Sequence, residues 1–88
     1  MTTLTLISKP DCHLCDVARE IVDNVVAELP DGAVEVEEFS IASDPALYEQ
    51  WWEKIPVVLI DDRLHAHWRL SADRLRAALT DTRTEENA

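Results

Sequence analysis

Cys12 and Cys15 are the only cysteines in this chain of 88 residues, and they are spaced as Cys-x-x-Cys. They lie between a short apolar stretch and a long amphipathic segment, which places both at the start of a helix. The unpaired N–H groups and the dipole of a helix start favour the thiolate, the form of cysteine that attacks disulfides. A partner three residues on shares the same helical face, so Cys15 can close a disulfide with Cys12 and release what Cys12 had captured. The pair therefore predicts thiol–disulfide exchange.

Length, composition and charge narrow the class of protein. A chain of this length with 47% hydrophobic residues predicts one compact domain, which we assign to residues 1–80, followed by a polar C-terminal tail at 81–88. The net charge of -10 argues against nucleic acid and anionic membranes as partners and, with the small size, favours a monomer. The start of the chain lacks the pattern of an export signal, and no apolar run is long enough to span a bilayer. We therefore expect a cytoplasmic protein, where a close cysteine pair is redox-active or binds metal.

The elements that must position the cysteines follow from the hydrophobic periodicity. It predicts the order strand, helix, strand, helix, strand, strand, helix. The segments are 3–8, 13–29, 33–39, 45–52, 55–60, 64–68 and a last helix from 72. Asp11, Asp44 and Ser71 are the expected helix caps. A right-handed crossover makes the first two strands parallel, while the last two strands form a hairpin.

The strand predicted over 33–39 alternates apolar residues with glutamates. This pattern is typical of a half-exposed strand at the edge of a sheet, where charged side chains discourage pairing with another chain. Glu35, Glu37 and Glu38 are accordingly interpreted as a solvated edge without an acid–base role.

Two motifs resemble those of a known family. The segment Lys9-Pro10-Asp11-Cys12-His13-Leu14-Cys15 resembles the K-P-x-C-x-x-C opening of glutaredoxins, and Ile55-Pro56 before Val-Val-Leu-Ile resembles their V-P element. The resemblance, in particular to small bacterial glutaredoxin-like proteins, extends to about Leu79. It implies an α/β, thioredoxin-like (glutaredoxin-type) β-α-β-α-β-β-α fold, with a mixed four-stranded sheet and helices on both faces.

The resemblance also implies roles for particular residues. Cys12 is then the attacking thiol and Cys15 the resolving one, and Ile55-Pro56 is a cis peptide that faces them and pairs with an extended substrate. The implied substrate-binding residues are Lys9, His13, Leu14, Ile55 and Pro56. The implied substrates are protein or low-molecular-weight disulfides, with no bound cofactor or metal. Where glutaredoxins have a glycine-rich turn that helps hold glutathione, this chain has Trp68-Arg69-Leu70-Ser71-Ala72-Asp73, which leaves open whether glutathione, as co-substrate, or a reductase donates the electrons.

Two alternatives belong to other functional classes. His65 and His67 share one face of a predicted strand, and with the two cysteines they would complete a two-Cys, two-His zinc set. That arrangement would make the protein a zinc-binding or metal-delivery module, although ordinary surface histidines are commoner. The second alternative is a redox-silent thioredoxin-fold adaptor that binds partners through Trp51, Trp52 and its acidic surface.

Overall fold

The computed structural model describes the backbone of residues 2–87 and the side chains of residues 2–80. Seven elements follow one another in the predicted order. They are β1 (Thr2–Ser8), α1 (His13–Ala27), β2 (Val34–Ser40), α2 (Pro45–Trp51), β3 (Val57–Ile60), β4 (Arg63–His67) and α3 (Ala72–Asn87). The backbone of α3 continues through 81–87, the greater part of the segment assigned to a polar tail. None of the helices in the described range is long and apolar enough to cross a membrane.

The four strands form one mixed sheet in the order β2-β1-β3-β4. β1 is parallel to β2 and antiparallel to β3, and β3 is antiparallel to β4. This confirms the predicted crossover through α1 and the hairpin at the end. Asp61 and Asp62 connect β3 to β4 with φ angles of 50° and 67°, and positive φ at both positions is what a two-residue turn needs to match the strand twist.

The two faces of the sheet carry separate hydrophobic clusters, because successive side chains of a strand point to opposite faces. Leu6 of β1 packs with α1 and α3, whereas Ile7 packs with the other cluster. The first cluster contains Leu4, Leu6, Ala18, Val22, Val25, Val58, Leu75 and Leu79. The second contains Ile7, Cys15, Ile41, Ile55 and Val57, with Cys12, Leu47, Trp51 and Leu59 packed against it. The cysteine pair is therefore anchored in the core of the α2 side of the sheet.

The start of α1 differs from the prediction in its capping residue. Cys12, not Asp11, is the N-cap: its backbone is extended, and its Sγ accepts a hydrogen bond from the N–H of Cys15 at 3.1 Å. Asp11 lies one position earlier and has a φ of 55°, a left-handed conformation that aspartate tolerates better than most residues. Asp11 therefore makes the turn into the helix. The predicted caps Asp44 and Ser71 are confirmed, since their side chains accept from Ala46 N–H and Arg74 N–H.

Candidate active site

Cys12 and Cys15 form a disulfide whose Cα atoms are 5.2 Å apart, within the ordinary range for such bonds. The two residues differ in exposure. Cys15 is only 1% exposed and packs in the core cluster, whereas Cys12 is partly exposed at the N-cap. The N–H of Cys15 points at Cys12 Sγ, which is where a thiolate would accept it. The pair thus consists of one partly exposed cysteine, whose sulfur accepts a backbone N–H, and one buried cysteine beside it.

Ile55-Pro56 is a cis peptide, as the family resemblance implies. Both residues are buried, and Ile55 belongs to the same cluster as Cys12 and Cys15. Its main-chain N–H and C=O have no backbone partner among the described residues.

Trp68 holds the segment that leads to this peptide. Its indole Nε1 donates to the carbonyl of Glu53 at 2.7 Å, and its backbone N–H donates to the carbonyls of Pro56 at 2.9 Å and Lys54 at 3.3 Å. This role is not predictable from the sequence, because the bonds require β4 to end beside the start of β3. Trp68 also has a φ of 64°, a rare conformation for a bulky residue and one that the sequence does not signal.

Three exposed aromatic side chains lie in α2, directly after α2 and directly after β4, and we call them the aromatic rim: Tyr48, Trp52 and Trp68. Tyr48 and Trp52 stack with their ring centroids 6.2 Å apart. Trp52 is 52% exposed and Trp68 is 55% exposed, so each keeps a broad apolar surface in contact with solvent. Trp51, in contrast, packs against the cluster that includes Cys12. Of the three tryptophans, Trp51 therefore packs against the core, and Trp52 and Trp68 are exposed.

The remaining predicted site residues lie at the surface. Lys9 and His13 are exposed on either side of Cys12, and Leu14 is exposed between the cysteines. All three are exposed to solvent and lie within three residues of Cys12 in the chain.

The structure does not assemble the zinc set of the first alternative. His65 and His67 lie on β4, and β3 separates that strand from β1, which leads to the cysteines. Among the side chains that the structure describes, no group of three or more His, Cys, Asp or Glu residues is close enough to hold a metal ion. Burial, followed by the charge of Arg74, lowers the pKa of His65, which is a property of its own strand and not of the cysteine site.

A charged bridge, formed by Ser8, Asp16, Arg19 and Glu38, connects three elements next to the cysteines. Arg19 donates to both carboxylate oxygens of Glu38, at 2.8 and 2.6 Å, and to Asp16 at 2.8 Å. Ser8 Oγ donates to Glu38 at 3.0 Å. The hydrogen bonds from Arg19 are the main cause that lowers the pKa of Glu38, opposed by partial burial.

β2 is an edge strand and Glu38 is exposed, as predicted, but its carboxylate also accepts hydrogen bonds from Arg19 and Ser8, which the interpretation as a solvated edge does not include. The pair Asp16 and Arg19 could have been recognised from its spacing of three residues on one helix. The contact with Glu38 could not, because it depends on the parallel register that places Glu38 beside Leu6.

Comparison with known proteins agrees with this geometry. The model of the family described as "Glutaredoxin-like domain" matches residues 3–80. An uncharacterized protein of Mycobacterium tuberculosis is 28% identical over 74 residues, covering 82% of this chain and 76% of that protein.

Solved structures with a similar fold are also found. The structural genomics target XcR50 from X. campestris is 32% identical, with a TM-score of 0.69 over 88% of this chain and 95% of that one. Chloroplastic thioredoxin z, at 16% identity, has a TM-score of 0.79 over 96% of this chain and 80% of that one, a likeness of fold alone.

Proposed function

Because the chain belongs to the glutaredoxin-like domain family of the thioredoxin superfamily, we propose that it is a thiol–disulfide oxidoreductase that works through Cys12 and Cys15. The observation that carries this proposal is the disulfide between a partly exposed sulfur at a helix N-cap and a shielded sulfur three residues on. The difference in exposure supports the proposed roles, in which Cys12 attacks the substrate and Cys15 reacts only with Cys12.

The proposed reaction proceeds in two exchanges. The Cys12 thiolate attacks one sulfur of the substrate disulfide, so that a Cys12–substrate bond forms, the substrate bond breaks and the leaving thiolate takes a proton from water. Cys15, after losing its proton, then attacks Cys12 Sγ, which forms the Cys12–Cys15 disulfide and releases the second substrate thiol. The substrate gains two electrons and the protein loses them. A thiol reductant, either glutathione or a reductase, returns the pair to the dithiol.

Protein-borne disulfides are the substrates that the surroundings of the site favour. An extended segment that pairs with the free main-chain groups of Ile55 would pass close to the aromatic rim, where an apolar side chain can pack. Low-molecular-weight disulfides would use Cys12 without this surface. The relative rates for the two substrate classes therefore measure how much the rim contributes.

The test is reduction of insulin and of a small model disulfide by wild type and by two alanine variants. Cys12→Ala should abolish both activities, whereas Cys15→Ala should accumulate a covalent Cys12–substrate adduct that mass spectrometry detects. The variant without both cysteines is the control for background reduction. If Cys12→Ala retains turnover, the assignment is wrong.

The electron donor is identified in the same assay. Glutathione with its reductase and, separately, thioredoxin reductase are each supplied with NADPH, and NADPH consumption is followed. Sustained turnover with only one of the two systems identifies the donor.

We further propose that the protein acts in the cytoplasm as a monomer and without a bound cofactor. The basis is its small size, its net charge of -10 and a cysteine pair suited to a reducing compartment. A single species of about one chain's mass in analytical ultracentrifugation supports the monomer, and a concentration-dependent dimer contradicts it.

A further inference from the structure

The charged bridge encloses the segment that carries both cysteines. Ser8 is the last residue of β1, is buried and stands immediately before the loop that leads to Cys12. Arg19 lies four residues after Cys15, which corresponds to about 6 Å along the helix axis. Glu38 is bonded to both, through Ser8 Oγ at 3.0 Å and through two nitrogens of Arg19 at 2.8 and 2.6 Å.

The neighbouring residue of β2, Glu37, does not make the contacts that Glu38 makes. Glu37 is exposed, and no comparable contact is found for it among the described side chains. Its backbone pairs with Thr5 of β1, so its side chain lies on the face opposite to that of Glu38. Glu38 alone reaches the start and the end of the cysteine segment.

We propose that Glu38 is a positioning residue: by holding Ser8 and Arg19 together it fixes the first turn of α1, so that the Cys15 N–H stays directed at Cys12 Sγ. This inference rests on the function proposed above, since it concerns the attacking sulfur of that reaction. In the reduced protein the N–H donor favours the thiolate of Cys12 over the thiol. Loosening the turn weakens this contact and makes Cys12 less acidic.

The sign of the effect separates positioning from simple electrostatics. Removal of a negative charge near a thiol, with nothing else changed, makes its ionisation easier and lowers its pKa. Loss of the positioning contact raises the pKa instead. The other charged groups around Cys12, which are Lys9, Asp11, His13 and Asp16, are unchanged in the variants compared below, so their contributions largely cancel.

The experiment measures the Cys12 pKa in the reduced, full-length protein from the pH dependence of its alkylation by iodoacetamide. The variants are Glu38→Ala, Ser8→Ala and the matched control Glu37→Ala, which removes the same charge from the same strand. We expect Glu38→Ala and Ser8→Ala to raise the pKa by about 0.5 unit, a roughly threefold lower thiolate fraction well below the pKa. Glu37→Ala should leave it unchanged or slightly lower.

An unchanged or lowered pKa in Glu38→Ala would overturn the proposal, because Glu38 would then act only as a surface charge. If Glu38→Ala does not fold, as judged by circular dichroism, the uncharged change Ser8→Ala decides: a rise supports positioning and no change refutes it. The pKa is measured without substrate. The inference can therefore fail while the insulin assay succeeds, and turnover by Cys12→Ala would reject the proposed function whatever the pKa values are.

Discussion

The difference in exposure between Cys12 and Cys15 predicts a large difference in their rates of alkylation. In the reduced protein, reagent reaches Cys12 directly at the N-cap. Cys15 is 1% exposed and packs against Ile7, Ile41 and Val57, so it reacts only when the first turn of α1 opens. Two single-cysteine variants isolate the sulfurs: Cys15→Ser leaves Cys12, and Cys12→Ser leaves Cys15.

The size of the difference follows from the surface that must be exposed. Lifting the first turn uncovers apolar surface on the order of 100 Å² from Cys15 and its neighbours, which at about 25 cal/mol per Å² costs about 2.5 kcal/mol. Since about 1.4 kcal/mol corresponds to a factor of ten, Cys15 should react about 60-fold more slowly than Cys12. The Cys15 N–H also stabilises the thiolate of Cys12. This increases the alkylation rate of Cys12 and so adds to the difference between the two rates.

The assay follows iodoacetamide labelling at neutral pH by intact-protein mass spectrometry, with urea-unfolded samples as the reference for intrinsic reactivity. In urea the two variants should react at similar rates. Rates within about threefold of each other in the native state, or faster labelling of Cys15, would contradict both the assigned roles and the burial argument behind them.

Three further predictions concern stability and substrate choice. Leu75 is fully buried, so Leu75→Ala should lower the free energy of unfolding, measured by urea denaturation, by about 3 kcal/mol. The control Leu64→Ala, at an exposed position, should lower it by less than about 1 kcal/mol. Similar losses in the two variants would contradict the core assignment. Arg19 holds the pKa of Glu38 below its ordinary value of 4.5, so the stability that this pair contributes is present above that pH and is lost as the pH falls through the lowered pKa. Glu38→Gln should therefore lose less stability than wild type when the solution is acidified. Parallel profiles of stability against pH for the two proteins would refute this. Trp52→Ala should reduce kcat/KM for insulin by about tenfold and leave small disulfides unaffected, and an equal loss for both would remove the aromatic rim from substrate binding.

Features encoded by a few neighbouring residues were predicted well from the sequence. Alternation and helical periodicity differ clearly along this chain, so the predicted element order is confirmed. The cap Asp44 followed by Pro45 is a local signal of the same kind. The predicted cap Asp11 is wrong because this capping side chain lies one position before the N-cap, in a left-handed turn that the sequence pattern does not indicate.

Features that depend on the packing of distant segments cannot be predicted from local sequence patterns. The cis Ile55-Pro56 peptide was expected only from the family resemblance, since local preference favours the trans form. The bonds that Trp68 donates to Glu53 and Pro56, and those that Ser8 and Arg19 donate to Glu38, join residues far apart in sequence. Such contacts follow from strand register and loop placement, which hydrophobic periodicity does not specify.

The order of the strands also suggests how this molecule can be handled. Cys12 follows β1 and Ile55-Pro56 precedes β3, whereas the Asp61-Asp62 turn lies at the far end of β3, about 13 Å away along the strand. A linker inserted at that turn would attach the protein to a resin or an electrode with its reactive sulfur directed away from the support. Oriented films of this kind would permit direct voltammetry of the disulfide couple without a soluble mediator.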